Sequence, residues 1–146
     1  MTDQPHGQRP TDAVSVVRLL HGGLVVGLIL AGAIFALLRR LQYSPPLDMR
    51  GTIGTVLAGA GFVLLAVAVL VLRPRMPERG AEQSAHAYWV ASESRSAAIV
   101  LWGVVQAAGF VAAVGYFLTG ATPPVTVGAL ALITLVLFRP SRLAGD

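Results

Sequence analysis

The chain has 146 residues, of which 55% are apolar and only 12% carry a charge. Soluble domains are about 25% charged, and a domain of about 150 residues still leaves roughly 30% of its chain surface in water. This composition therefore excludes a soluble globular protein and predicts an integral membrane protein. The sequence contains no cysteine, which excludes disulfides, thiolate metal sites and cysteine nucleophiles.

Four apolar segments are long enough to cross a hydrocarbon core about 30 Å thick, which takes about 20 helical residues. Helices are expected because they bond every backbone group internally. We predict an all-α, four-transmembrane-helix bundle over residues 14–142, with a disordered lead (1–13) and a C-terminal tail (143–146). The predicted spans cover residues 19–38, 52–72, 97–118 and 121–138.

Two connections have a distinct character. Residues 73–96 form the longest and most polar loop, and we expect a solvated surface helix there that runs into the third span. Glu82 and His86 lie four residues apart and would share a face of that helix, but two ligands are too few for a metal site. The short turn at 119–124 predicts that the third and fourth spans are antiparallel neighbours.

The formal net charge of +4 comes from eleven arginines and seven acidic residues. With a cytoplasmic N-terminus, eight of the eleven arginines fall on the cytoplasmic side. The positive-inside rule therefore predicts a multi-pass protein of the inner (plasma) membrane with both termini in the cytoplasm. Arg39 and Arg40, at the outer end of the first span, oppose this orientation. Read as topology signals, the arginines do not indicate a nucleic-acid partner.

The two halves of the chain match weakly at an offset of 81 residues. Leu20-His21-Gly22 aligns with Leu101-Trp102-Gly103, and the second and fourth spans both end in Arg-Pro, at Arg73 and Arg139. The pattern predicts two tandem helical hairpins related by duplication. Chance alignment of two helices rich in Ala, Val, Leu and Gly explains it about equally well.

Two Gly- and Ala-rich hairpins resemble the duplicated proteolipid (c-type) subunits of rotary ATPases, and the first contains a polar connecting turn, Arg39-Arg40-Leu41-Gln42 with nearby Pro45-Pro46, similar to their polar loop. The resemblance covers residues 14–142 and implies a small membrane protein that forms a ring. Proteolipid subunits carry an ion-binding Asp or Glu in the outer helix, and residues 52–72 and 121–138 contain neither. The resemblance therefore implies an architecture rather than ion translocation.

Polar groups inside the spans are the candidate functional residues, because they are costly in lipid. Gln106 lies near the middle of the third span, where we expect it to bond a neighbouring helix or a second copy. His21 lies one turn after Arg18 at the start of the first span. It is a weak cofactor-binding candidate, since a b-type haem usually needs two axial histidines and the other histidines lie outside the spans.

Small residues spaced four apart predict close helix packing, and aromatic or arginine side chains at span ends predict interfacial anchors. The expected packing glycines are Gly23, Gly27 and Gly103. The expected anchors are Arg18, Tyr88, Trp89, Arg73 and Arg139.

The sequence contains no recognisable catalytic motif. We therefore expect a non-enzymatic structural or accessory subunit, without cofactor or metal, that packs with itself or with a larger membrane complex. The first alternative is a small transporter, a channel-like protein or a proteolipid-related ring. The second is a redox subunit that holds haem or quinone through His21.

Overall fold

The computed structural model describes residues 13–41 and 50–145, and these residues are almost entirely helical, with no strand among them. The predicted all-α class is confirmed. The predicted lead up to residue 12 and the turn at Pro45-Pro46 lie outside the described residues. Six α-helices are present in the described part: α1 (Ala13–Arg40), α2 (Arg50–Ala66), α3 (Ala85–Val90), α4 (Ser92–Thr119), α5 (Thr122–Leu137) and α6 (Pro140–Leu143).

Three of these helices are long and apolar enough to cross a membrane. They are α1, α4, and the helix formed by α2 and its continuation to Arg75. Each of the three extends beyond the predicted span. The chain therefore has the features of a membrane protein. The fourth predicted span corresponds to α5, which has 16 residues. At 1.5 Å per residue it is about 24 Å long, which is shorter than a typical hydrocarbon core.

The second span ends in two unusual helical turns. A π-helix (Val67–Leu72) follows α2, and a 3-10 turn (Arg73–Arg75) follows the π-helix. Pro74 cannot donate a hydrogen bond four residues back, and its ring crowds the carbonyl at that position. In the wider turn the backbone N–H of Arg73 bonds the carbonyl of Ala68, five residues back. The Arg-Pro pair thus ends the regular helix, and the chain stays helical for one further turn.

Helix α4 is the centre of the fold, because α1, α2 and α5 all pack against it. Although α1 and α2 are consecutive, they make few contacts with each other in the described part of the chain. The first half of the chain therefore does not form the packed hairpin that a duplication implies. Helices α4 and α5 are neighbours, as the short turn between them predicts. The residues of α4 with less than 2% exposure are Ala98, Leu101, Trp102, Val105, Ala108 and Ala112.

Helices α1 and α4 run parallel, and the register between them is about 81 residues. The ring of His21 lies 5.0 Å from the ring of Trp102, measured between centroids. Near the other end of the pair, Phe35 lies 5.5 Å from Phe117. The offset at which the two halves of the sequence match is therefore also the offset at which these two helices pack.

The closest helix approaches occur at glycines that the spacing argument did not select. A Cβ atom on Gly61 of α2 would lie 2.9 Å from Cγ1 of Val127 and 3.2 Å from the carbonyl oxygen of Ala108. A Cβ atom on Gly109 of α4 would lie 2.5 Å from Cδ1 of Leu28. At Gly61 a larger residue would press on the backbone of α4, whereas at Gly109 it would displace the flexible side chain of Leu28.

The predicted packing glycines lie in more open surroundings. No neighbouring atom lies within 4 Å of a Cβ built on Gly23 or Gly103. On Gly27 such an atom would lie 3.8 Å from Nε2 of Gln106, which is an ordinary contact. The spacing of small residues identified a shared helix face, but it did not identify the face that meets a neighbour.

The segments outside the long helices fold back onto the bundle. Helix α3 is only six residues long, and Ser84 caps it by accepting a hydrogen bond from the N–H of Ala87. Glu82 precedes α3, so Glu82 and His86 do not share a helix as predicted. Leu143, which ends α6, and Ala144, which follows it, were expected in a tail and are buried.

Candidate functional site

The bundle has two ends, which we name by what they carry. The α3 face is the end where α1 and α4 begin, α5 ends, and α3 and α6 lie. The turn face is the end where α1 and α4 end and α5 begins. At both faces, side chains inside the bundle donate hydrogen bonds to the last carbonyl groups of a helix.

At the α3 face, two side chains cap the end of α5. The last carbonyls of a helix have no helical donor, and an unpaired carbonyl is costly in a membrane. The Nε2 atom of His21 donates to the carbonyl of Leu135 over 2.9 Å, and Nε1 of Trp102 donates to the carbonyl of Phe138 over 2.8 Å. The imidazole therefore connects α1 to α5, beside α4.

This arrangement bears on the cofactor role considered for His21. The residue is only 8% exposed. A carbonyl only accepts hydrogen bonds, so the hydrogen resides on Nε2 and only Nδ1 keeps a free lone pair. Axial ligation of a haem through Nε2 would break the bond to Leu135. The geometry supports a structural role.

At the turn face, Arg39 caps the end of α4. Its guanidinium donates from Nη1 to the carbonyl of Phe117 over 2.8 Å and from Nη2 to the carbonyl of Thr119 over 3.1 Å. The group also lies 5.9 Å from the ring centroid of Tyr116. A cation at a helix C-terminus is favourable because the carbonyl ends carry partial negative charge. From the sequence, Arg39 was predicted only as a topology signal and as part of the polar connector, and this contact was not predicted.

Gly120 makes the cap possible in two ways. Its φ of +67° lies in the left-handed region, which suits a glycine that ends a helix. A Cβ atom at this position would also collide with the guanidinium of Arg39. The sequence predicted a short turn at 119–124, but it gave no indication that an arginine about 80 residues earlier shares the space at Gly120.

Gln106 lies at mid-height of α4 and its amide faces α1 at Gly27. Its Oε1 atom is buried and has no hydrogen-bond partner among the described residues. The side chain was predicted to join neighbouring helices or two copies of the chain. The structure places it between α1 and α4, without an acceptor contact at Oε1.

The predicted aromatic anchors lie inside the protein at the α3 face. Tyr88 and Trp89 are each 1% exposed, and Oη of Tyr88 donates to the carbonyl of Pro77 over 2.9 Å. Burial raises the pKa of Tyr88 above its ordinary value, against opposing effects of Ser94 and Arg73. Trp89 lies 6.3 Å from Trp102, measured between ring centroids. These rings therefore join α3 to the core.

The arginine anchors are placed differently. Arg18 and Arg139 are exposed at the α3 face, where their positions suit contact with lipid headgroups. Arg73 is half-buried at the same face, directly after the π-helix.

An apolar groove of about 460 Å³ opens between α1, α4 and α5. Helix α1 is tied to α5 by His21, and the groove separates the two helices further toward the turn face. Ala33 on α1 and Ala129 on α5 line opposite sides and remain exposed. The small residues of the lining are Gly32, Ala33, Ala36, Gly109, Ala112, Ala113, Gly128 and Ala129.

Among the described residues, no group of three or more His, Cys, Asp or Glu side chains is placed to hold a metal ion. Comparison with protein-family models, with curated proteins and with solved structures found no match to this chain. The helix caps and the groove are therefore the features of this chain that bear on its function.

Proposed function

We propose that this protein is a structural or accessory membrane subunit that packs with itself, and that its groove receives a helix of a second copy. The observation that carries the proposal is the groove between α1, α4 and α5. Small side chains let helix backbones approach closely, and in lipid such close packing is a main source of helix association.

Helix α2 offers a matching surface. It packs on α4 and α5 without lining the groove, and its outer face is exposed. Val56, Phe62 and Val63 on this face are 58–63% exposed. Large side chains of one copy would fill the small-residue groove of the next. Such a head-to-tail contact produces a ring when the rotation closes.

The proposal includes four spans, with α5 as the fourth. A 16-residue helix is short, but the bilayer adapts to such a mismatch by local thinning at modest cost. The turn between α4 and α5 leaves the two helices antiparallel, which returns the chain to the α3 face.

The distribution of arginines supports a cytoplasmic α3 face and cytoplasmic termini. At the turn face, Arg39 is engaged by the carbonyls of α4, so it counts less as a topology signal. The arginines of the described chain at the α3 face are Arg18, Arg73, Arg75, Arg79, Arg95, Arg139 and Arg142.

The proposal is tested by substitutions that fill the groove. Ala33→Leu and Ala129→Leu place bulk on opposite walls, and Ala107→Leu adds the same bulk to an exposed position of α4 outside the groove. We expect the wild type and Ala107→Leu to purify in a neutral detergent as oligomers, and both groove variants as monomers. The mass of the solubilised particle, measured by light scattering, decides between them. A monomeric wild type, or groove variants that stay oligomeric, would overturn the proposal.

A further inference from the structure

A second cavity lies at the α3 face, and its lining is polar. It has a volume of about 460 Å³ and lies between the end of the second span, the loop that follows it, and the C-terminal segment. Three separate parts of the chain therefore build it. Its lining residues with charged side chains are Arg73, Glu78, Arg79 and Arg142.

Arg79 holds the walls of this pocket together. Its Nε donates to the carbonyl of Gln83 over 2.6 Å, and its Nη1 donates to the carbonyl of Ala144 over 3.1 Å. The first bond closes the loop on itself, and the second ties that loop to the segment after α6. Arg79 is thus a positioning residue that fixes the shape of the pocket.

Arg73 and Arg142 differ from Arg79 in their hydrogen bonding. Within the described residues, neither side chain makes a hydrogen bond or an ion pair. Arg73 is half-buried and Arg142 is exposed, and both contribute to the lining. Among the described lining residues, three guanidinium groups stand against the single carboxylate of Glu78, and the donors of Arg73 and Arg142 face no acceptor there.

The level of the pocket along the spans indicates the kind of ligand that it binds. Arg73 directly follows the last apolar residue of the second span, and α6 begins three residues after the end of α5. The pocket therefore lies where spans leave the hydrocarbon, at the level of lipid headgroups. Arginine pairs with phosphate through parallel N–H donors, and basic pockets at the cytoplasmic ends of spans bind anionic headgroups.

We infer that this pocket binds the phosphate group of an acidic phospholipid, with Arg73 and Arg142 as the donors. The carboxylate of Glu78 offsets part of the positive charge, which favours a singly charged headgroup over a multiply charged one. The inference does not depend on the groove or on the oligomeric state.

The experiment titrates the protein in neutral detergent with phosphatidylglycerol or phosphatidylcholine and counts bound lipids by native mass spectrometry. We expect phosphatidylglycerol to bind about tenfold more tightly than phosphatidylcholine. Arg73→Gln and Arg142→Gln should each weaken phosphatidylglycerol binding about tenfold, since each removes a charge-assisted contact. Arg75→Gln is the matched control, because Arg75 is exposed in the same turn as Arg73 but does not line the pocket. The affinity of Arg75→Gln for phosphatidylglycerol should stay within about twofold of that of the wild type.

Three results would overturn the inference. Equal binding of the two lipids would show that the net negative charge of the headgroup is not recognised, because both lipids carry a phosphate. Equal losses in Arg75→Gln and in the pocket variants would show an unspecific surface charge effect. Displacement of phosphatidylglycerol by millimolar inorganic phosphate would assign the pocket to a free anion. If Arg73→Gln does not fold, Arg142→Gln carries the test alone, because Arg142 is exposed. Circular dichroism checks that this variant keeps its helix content.

Discussion

Replacing Arg39 by leucine tests whether the cap at the turn face stabilises the bundle. The guanidinium makes two hydrogen bonds to the carbonyls of Phe117 and Thr119, at 2.8 and 3.1 Å. A hydrogen bond to a charged group contributes about 1.5–3 kcal/mol. Because this site is half-buried, we take the lower value for each bond. Arg39→Leu should therefore lower the free energy of unfolding by about 3 kcal/mol.

The assay is reversible unfolding in mixed micelles, titrated with sodium dodecyl sulfate and followed by tryptophan fluorescence. Both tryptophans, Trp89 and Trp102, are 1% exposed in the core at the α3 face, so their signal reports global packing rather than the mutated end. Arg39→Lys keeps the charge but presents a single ammonium in place of the planar fork. It should retain about half of the stabilisation.

Arg40 provides the matched control. It is adjacent in the same helix, carries the same charge and is exposed. Arg40→Leu should change the free energy of unfolding by less than about 0.5 kcal/mol. Equal effects of the two substitutions would refute the reasoning, because a general loss of surface charge would then explain both. A stable Arg39→Leu protein would refute it as well.

Three further predictions use the same assay. His21→Leu should cost about 1–3 kcal/mol, because it leaves the carbonyl of Leu135 buried without a donor; unchanged stability would mean that the bond contributes nothing. Gln106→Leu should raise stability by about 1 kcal/mol, because it removes a buried oxygen without a partner, and a loss would show that the amide is satisfied in the bilayer. Gly61→Ala should cost about 1–3 kcal/mol, whereas Gly59→Ala, with nothing within 4 Å, should cost nothing; similar effects would contradict the close approach of α2 to α4 and α5.

The all-helical class and three of the spans followed from the sequence because both depend on local properties. The length of an apolar run predicts a membrane helix, and a glycine such as Gly120 ends a helix whichever residues pack beside it. Helices α1 and α4 extend beyond the predicted spans, to Arg40 and back to Ser92. Charged and polar residues at helix ends still form backbone hydrogen bonds, so hydropathy underestimates length.

The helix contacts could not be predicted in the same way. Residue spacing gives the faces of one helix, but it does not say which face meets which neighbour. Gly61 and Gly109 lie at close approaches, whereas Gly23 and Gly103 lie in the open, and both pairs belong to helices equally rich in small residues. The roles of Arg39 and His21 were missed for the same reason, because their acceptors lie on helices far away in sequence.

The position of α4 at the centre has a consequence for biosynthesis. Arg39 and its acceptor Thr119 are 80 residues apart in the chain. At a translation rate of about 5–20 residues per second, α1 waits roughly 4–16 s before the helix that it caps has been made. During that interval α1 has only α2 beside it, with which it shares few contacts in the final structure. The guanidinium of Arg39 therefore has no carbonyl of α4 to bond until Thr119 has been made.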